Sequence, residues 1–278
     1  MKNRIINKGS YLILILVLSK VVLGFYLEKF NADFFFTTDS YEYIIPANEI
    51  CENGRYYNTF NEPEIRRTPG TSIFLLPAVC LDLNLSNYVF LLNLVMVLLS
   101  AFFTYKIVRL FDIKVNYVFI FAIFLIDPTL SKHQFNILSD ILFLFWFNLT
   151  LYLLIYGLKK NNFLYFLFGF LLITLDTFIR PITLYLPYYL SIFLILFYSI
   201  NSSFRNKFKY PLLIACILGV IIHFSLTQLW ANRNYQTTGI KIFTYLQAEN
   251  NYFYKTAGII AINQKKDFIK VHEEFKNK

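Results

Sequence analysis

The feature that most constrains this chain is the recurrence of apolar runs at membrane-crossing length. Stretches such as LLNLVMVLLSAFF (91–103) and ILFLFWFNLTLYLLIYGL (141–158) are apolar almost without interruption. About 20 such residues in a helix cross a bilayer. A spanning β-strand would alternate apolar and polar residues, and these runs do not, so the spans are helices. Composition agrees: 57% of residues are hydrophobic, only 15% are charged and the mean hydropathy is +0.51. Roughly a quarter of residues are charged in an ordinary soluble domain. The fold class expected is therefore all-α, a polytopic transmembrane bundle.

Seven spans are expected, near 11–27, 86–110, 116–130, 138–158, 163–180, 182–200 and 211–230. The first follows a basic N-terminus but lacks a small-x-small cleavage site, and reads as an uncleaved signal-anchor. Segments 1–10, 105–115, 159–162 and 201–210 together hold 11 Lys or Arg. All four fall on one side if seven spans alternate, which places the N-terminus in the cytoplasm of a multi-pass cell-membrane protein. Loop 28–70, segment 127–139 and the tail 231–278 then face outward. The +9 net charge is spent at span ends in this way, so no nucleic-acid partner is implied.

Two further segments read as surface-lying. TPGTSIFLLPAVC (68–80) is apolar but too short to cross, and suits the interface. In the tail, Phe268, Val271 and Phe275 share a helical face, as in a surface-lying or docking helix. The chain divides into a membrane module over 1–230 and an outer tail over 231–278. Cys51, Cys80 and Cys216 form no CxxC and no cluster with His, and read as free thiols without a disulfide framework.

Chemistry concentrates in the first outer loop, where TDSYEYIIPANEICENGRYYNTFNEPEIRRTPG (38–70) holds six of the 17 Asp and Glu. Asp39, Glu42 and Tyr43 stand at i, i+3 and i+4, so a helical turn would present a carboxylate pair with a Tyr. Pro46 kinks or starts that helix and Gly54 stops it. The pair suits a general base that takes a proton from a hydroxyl, or a divalent cation near Asp39, or no more than a wetted loop. Arg66 and Arg67 read as an interfacial anchor or as a clamp for an anion, phosphate being the natural match to a guanidinium fork.

The second outer loop holds Asp127, Lys132, His133 and Asp140. Asp140 is either a helix N-terminal acid or a site group. Asp176 and Arg180, four residues apart near the end of the fifth span, read as a mutually neutralising pair from which Pro181 lets Arg180 face the outer pocket. Arg233 lies at the outer interface after the last span. Lys20 either snorkels or faces the bundle, and His223 reads as a hydrogen-bonded core residue.

Taken in order, these segments resemble the GT-C membrane glycosyltransferases, most closely the protein O-mannosyltransferase and aminoarabinose-transferase-like branch. The similarity runs through DSYEYIIPANEICENGRYY and RRTPGTSIFLLP in the first outer loop. NILSDILFLFWFNLTLYLL follows, then FLFGFLLITLDTFIRPITLYLP with its terminal Arg-Pro, and LWANRNYQTTG. The resemblance implies a polyprenyl-phosphate sugar donor, membrane lipids around it, and an acceptor hydroxyl on a protein, lipid or glycan outside the cell. It implies that Asp39 is the base or positions the acceptor, and that Asp140 is the second acid. Arg67, Arg180 and Arg233 would hold the phosphate. No cofactor is required by such a reaction. The family's first loop often carries two acids in tandem, whereas here Ser40 follows Asp39 and the next acid is Glu42. Members usually continue through further spans, so relative to them the chain reads as a truncated gene, a fragment or a compact member.

Overall fold

The computed structural model describes the backbone of residues 2–276 and the side chains of residues 9–202, 212–246, 248, 249, 252 and 254–274. It is 81% helical, without strands among those residues. The order is α1 (Lys2–Phe30), a 3-10 turn (Ala32–Phe35), α2 (Thr38–Asn53), α3 (Gly70–Cys80), α4 (Leu85–Leu110), α5 (Tyr117–Ile126), α6 (Pro128–Phe135), α7 (Asp140–Lys160) and α8 (Phe163–Ile179). A 3-10 turn (Pro181–Thr183) leads to α9 (Leu186–Ile200), α10 (Ser202–Thr238), α11 (Tyr245–Glu249), a π-helical turn (Asn250–Thr256), α12 (Ala257–Gln264) and α13 (Phe268–Lys276).

Among the described residues, five helical segments are long and apolar enough to cross a membrane: Gly9–Phe30, Leu85–Leu110, Asp140–Lys160, Pro181–Ile200 and Leu212–Thr238. Their outer surfaces carry large apolar side chains such as Ile15, Val22, Leu99, Phe193 and Leu229 in the open. Exposed apolar area on that scale is untenable in water and is what lipid requires. The chain is accordingly an all-helical, multi-pass membrane protein. The other two expected spans are shorter. α8 has 17 residues. The segment 116–130 is broken, because Asp127 precedes Pro128 and is held out of the helical region at φ −52°, ψ 124°. The Asp127 carboxylate caps the new helix at Leu130 N, 2.8 Å away, leaving α5 with 10 residues and α6 with 8.

Contacts between helix ends set an alternating course. Ser10, early in α1, meets Tyr117 at the start of α5 (3.0 Å). Lys159, ending α7, reaches the Leu110 carbonyl that ends α4. At the opposite end, Asn84 donates to Glu28 (2.7 Å), and Ile137 N donates to the Phe35 carbonyl (3.0 Å). Residues 28–70, 127–139, the α8–α9 junction and 231–249 therefore gather at one end of the bundle. Beneath them, Phe90 stacks on Phe135 at 5.2 Å, and Lys20 faces the bundle, donating to Ser131 with Phe135 5.8 Å from its ammonium. A second apolar cluster joins Phe166, Phe170 and Ile173 of α8 to Leu212, Ala215 and Cys216 of α10. His223 is buried there, bonded to Thr174 (3.2 Å) and the Leu184 carbonyl (2.9 Å).

Two expectations need correcting. Cys51 and Cys80 are not free thiols but a disulfide, with Cα atoms 5.6 Å apart; Cys216 alone is free. Loop 54–69 runs back along α2, so α3 starts beside the first turns of α2 and ends beside its last, bringing two distant cysteines together. Asp176 and Arg180 are not paired. Arg180 precedes Pro181 and is extended (φ −139°, ψ 122°), which removes its side chain from the helical face it would share with Asp176. Asp176 instead accepts from Thr150 at 3.1 Å. The 68–80 segment is a helix packed against α2, α4 and α8, with Gly70, Thr71, Ser72, Leu75 and Ala78 buried. In the tail, Val271 is buried against Ala257 and Ala261, which makes α13 a docking helix; Phe268 is more exposed, and the Phe275 side chain lies outside the described residues.

Candidate functional site

α2 begins where Thr37 and Ser40 cap one another: the Thr37 amide donates to Ser40 Oγ at 2.9 Å, and the hydroxyls lie 3.0 Å apart. It ends at Gly54, whose φ of +66° is the left-handed stop that glycine makes without strain. Pro46 lies inside the helix rather than starting it. The first turns thus present Asp39, Glu42 and Tyr43 on one face, as their spacing predicts.

Arg67 meets all three. Its Nη2 is 3.0 Å from Asp39 Oδ2, its Nε donates to Glu42, its Nη1 donates to the Tyr43 hydroxyl at 3.3 Å, and the guanidinium lies 5.3 Å from the Tyr43 ring centroid. A guanidinium therefore occupies the space between the carboxylates. Among the described residues no group of three His, Cys, Asp or Glu side chains is arranged to hold a metal. Arg66 donates to the other Glu42 oxygen and, through Nε, to Glu249 at 2.8 Å.

The backbone of this arginine pair is fixed from below. The Glu64 carboxylate, 5% exposed, accepts the amides of Arg66 (2.5 Å) and Arg67 (2.9 Å). Burial pushes the Glu64 carboxyl above its ordinary range, against the lowering effect of those two amides. The Tyr56 hydroxyl donates to the Arg67 carbonyl at 3.2 Å, and burial raises its pKa as well. Arg233 donates to the Tyr56 carbonyl (2.8 Å) and the Glu64 carbonyl (2.9 Å), with its guanidinium 5.1 Å from the Trp230 ring. Gly70 lets α3 approach α8: a Cβ there would lie 2.5 Å from the Phe178 carbonyl oxygen.

From the other side, α7 starts with Asp140, and Arg180 at the end of α8 donates to it. His133 Nδ1 lies 3.8 Å from Asp140 Oδ2, too long for a hydrogen bond, and is buried with no hydrogen-bond partner. Tyr43 joins the halves by donating to Ser139 Oγ at 3.4 Å. Together these residues enclose a cavity of about 270 Å³, lined by Asp39, Tyr43, Arg66, Arg67, His133, Asp140 and Arg180, with Thr68, Ile179, Pro181 and Leu246 among the rest. Arg66 also lines a larger cavity of about 590 Å³, bordered by Glu42, Tyr41, Phe60, Glu64, Thr238 and Tyr245.

Seven of the residues singled out from the sequence thus line one cavity. Glu42 stands behind them, and Arg233 is committed to the loop backbone instead. Sequence reasoning missed Glu64 and Glu249. Glu64 has no signal beyond standing just before the arginine pair. Glu249 has one: it is the first acid in the chain after Asp176, and an isolated acid opposite an arginine-rich loop is a candidate partner. Chemically, three guanidinium groups face four carboxylates (Asp39, Glu42, Asp140, Glu249). An anion entering the cavity must displace a carboxylate from an arginine. Arg180, with 41% of its side chain exposed, is the most accessible of the three; Arg67, at 12%, is the least. The chain matches no protein-family model, no curated protein sequence and no solved structure.

Proposed function

We propose that this protein is a membrane glycosyltransferase of GT-C-like architecture, moving a sugar from a polyprenyl-phosphate donor to an acceptor hydroxyl on the outer face of the cell membrane. The observation that carries this reading is the cavity in which Arg66, Arg67 and Arg180 face Asp39 and Asp140 at one end of an apolar helix bundle. A lipid tail can lie along apolar helices while its phosphate meets guanidinium groups at the wet end. The disulfide supports the orientation, since such bonds persist in oxidising compartments.

In the proposed step the acceptor oxygen attacks the anomeric carbon. The bond from that carbon to the phosphate oxygen breaks, and its electron pair stays on the phosphate. The hydroxyl proton passes to a carboxylate, Asp39 or Glu42, and a single displacement inverts the anomeric centre. Arg180 and Arg66 stabilise the charge that grows on the departing phosphate, and Asp140 holds Arg180 until the donor arrives. Membranes containing the protein should consume a radiolabelled polyprenyl-phosphate sugar. Asp39→Asn should slow this about 10²–10⁴-fold at equal expression, and turnover like the wild type would remove Asp39 from that role.

The pairing of every cavity arginine with an acid favours one other reading, a non-catalytic membrane component whose loops are latched by ion pairs. That reading predicts that charge-swapped pairs, such as Arg180→Asp with Asp140→Arg, retain full function.

A further inference from the structure

We propose that the larger cavity binds a neutral saccharide and, resting on the glycosyltransferase reading, that it is the acceptor subsite. Its volume of about 590 Å³ lies within the range of small-ligand sites. Its charges are already used. Glu42 is held by Arg66 and Arg67, the buried Glu64 accepts two backbone amides, and Arg66 is divided between Glu42 and Glu249. Glu62 aside, the groups left for a ligand are uncharged.

Those groups are rings and hydroxyls. Phe60 is 82% exposed, Tyr41 53% and Tyr245 43%. Tyr41 is stacked on Phe36 at 6.0 Å, and the Tyr245 backbone is pinned through its amide to the Ile65 carbonyl at 2.8 Å. Phe60 sits at the tip of a polar turn, NTFNE, in which Asn58 Oδ1 accepts the amides of Phe60 (2.9 Å) and Glu62 (3.1 Å). That bonding leaves the Asn58 amide nitrogen as a donor. Thr237 and Thr238 add hydroxyl oxygens on the facing wall. A sugar ring has an apolar face of C–H groups and an equatorial rim of hydroxyls, which this combination of rings, amide and hydroxyls matches. An anionic ligand would meet Glu62 and find no unpaired cation. A lipid tail would leave the polar wall without partners.

Arg66 lines both cavities. A saccharide in the larger one therefore ends beside the arginine that the smaller one offers to a phosphate. This arrangement gives the two acids different neighbours: Asp39 lines the small cavity and Glu42 the large one.

The test uses the full chain in nanodiscs and saturation-transfer NMR against a panel of neutral oligosaccharides, tetralysine and undecaprenyl phosphate. The expected result is binding of at least one neutral oligosaccharide, weakened about 10-fold by Phe60→Ala and by Tyr245→Ala, as for loss of one ring contact. Undecaprenyl phosphate binding should be unchanged in both variants and lost in Arg66→Ala. No binding across the panel, tighter binding of tetralysine, or oligosaccharide binding indifferent to both variants overturns the proposal. If an oligosaccharide binds in this ring-dependent way while undecaprenyl phosphate does not bind, the saccharide site stands and the glycosyltransferase reading falls.

Discussion

Loop 54–69 carries the arginine pair and is tied at its base by Cys51–Cys80, so cutting that tie tests how the site is held. The cross-link joins residues 29 positions apart. For a closed loop of that length, chain-entropy reasoning gives a stabilisation of about 3.5 kcal/mol. Replacing both cysteines by serine should remove most of it. Local opening of the loop should then become several hundred-fold more frequent, at about 1.4 kcal/mol per factor of ten. Hydrogen exchange followed by mass spectrometry reads this directly: amides over 55–69 should exchange faster in the variant, while those in α7 and α8 stay near their wild-type rates. Alkylation of the unreduced protein should label Cys216 alone, and only after unfolding. Labelling of native Cys51 by an impermeant maleimide, or a loop whose exchange is unchanged in the double variant, would mean that the cross-link does not hold the loop.

Other consequences follow from single residues. Gly70→Ala places a Cβ against the backbone of Phe178 and Ile179; thermal unfolding should show a loss of about 1–3 kcal/mol, as for other overpacked contacts. Asp140→Asn leaves Arg180 without its acid, and because that pair is partly exposed, unfolding should change by less than about 1 kcal/mol. Glu64 favours its protonated form in the fold, so its contribution is present at low pH and declines as pH rises from the ordinary value of 4.5 through the raised folded value. Glu64→Gln keeps an oxygen for both amides and should flatten that decline in a pH series of unfolding curves, whereas Glu64→Ala should destabilise at every pH.

Much of the frame is legible in the residues themselves. Apolar runs mark the helices, and the i, i+3, i+4 spacing of Asp39, Glu42 and Tyr43 marks the face that Arg67 grips. What escapes local reading depends on backbone direction or on distant chain. The Asp176–Arg180 spacing promises a helical pair, yet Pro181 holds Arg180 extended and turns it to Asp140. The same effect at Asp127–Pro128 divides an expected span into two short helices. Cys51 and Cys80 meet only because the arginine loop folds back along α2, and Glu249 reaches Arg66 across 183 positions of sequence. Neither separation carries a period that sequence reading can use. Arg233 shows the converse: a position that suits an outer phosphate ligand is spent on two backbone carbonyls.

On the proposed reading, the arginine-lined cavity receives the phosphate of a polyprenyl lipid. Native mass spectrometry of the protein purified in mild detergent tests it most directly. The wild type should carry polyprenyl phosphate or its sugar-bearing form, and Arg180→Ala and Arg66→Ala should each lose it while keeping ordinary phospholipid. A wild-type protein that carries only phospholipid, even after incubation with undecaprenyl phosphate, would mean that the cavity does not receive this lipid.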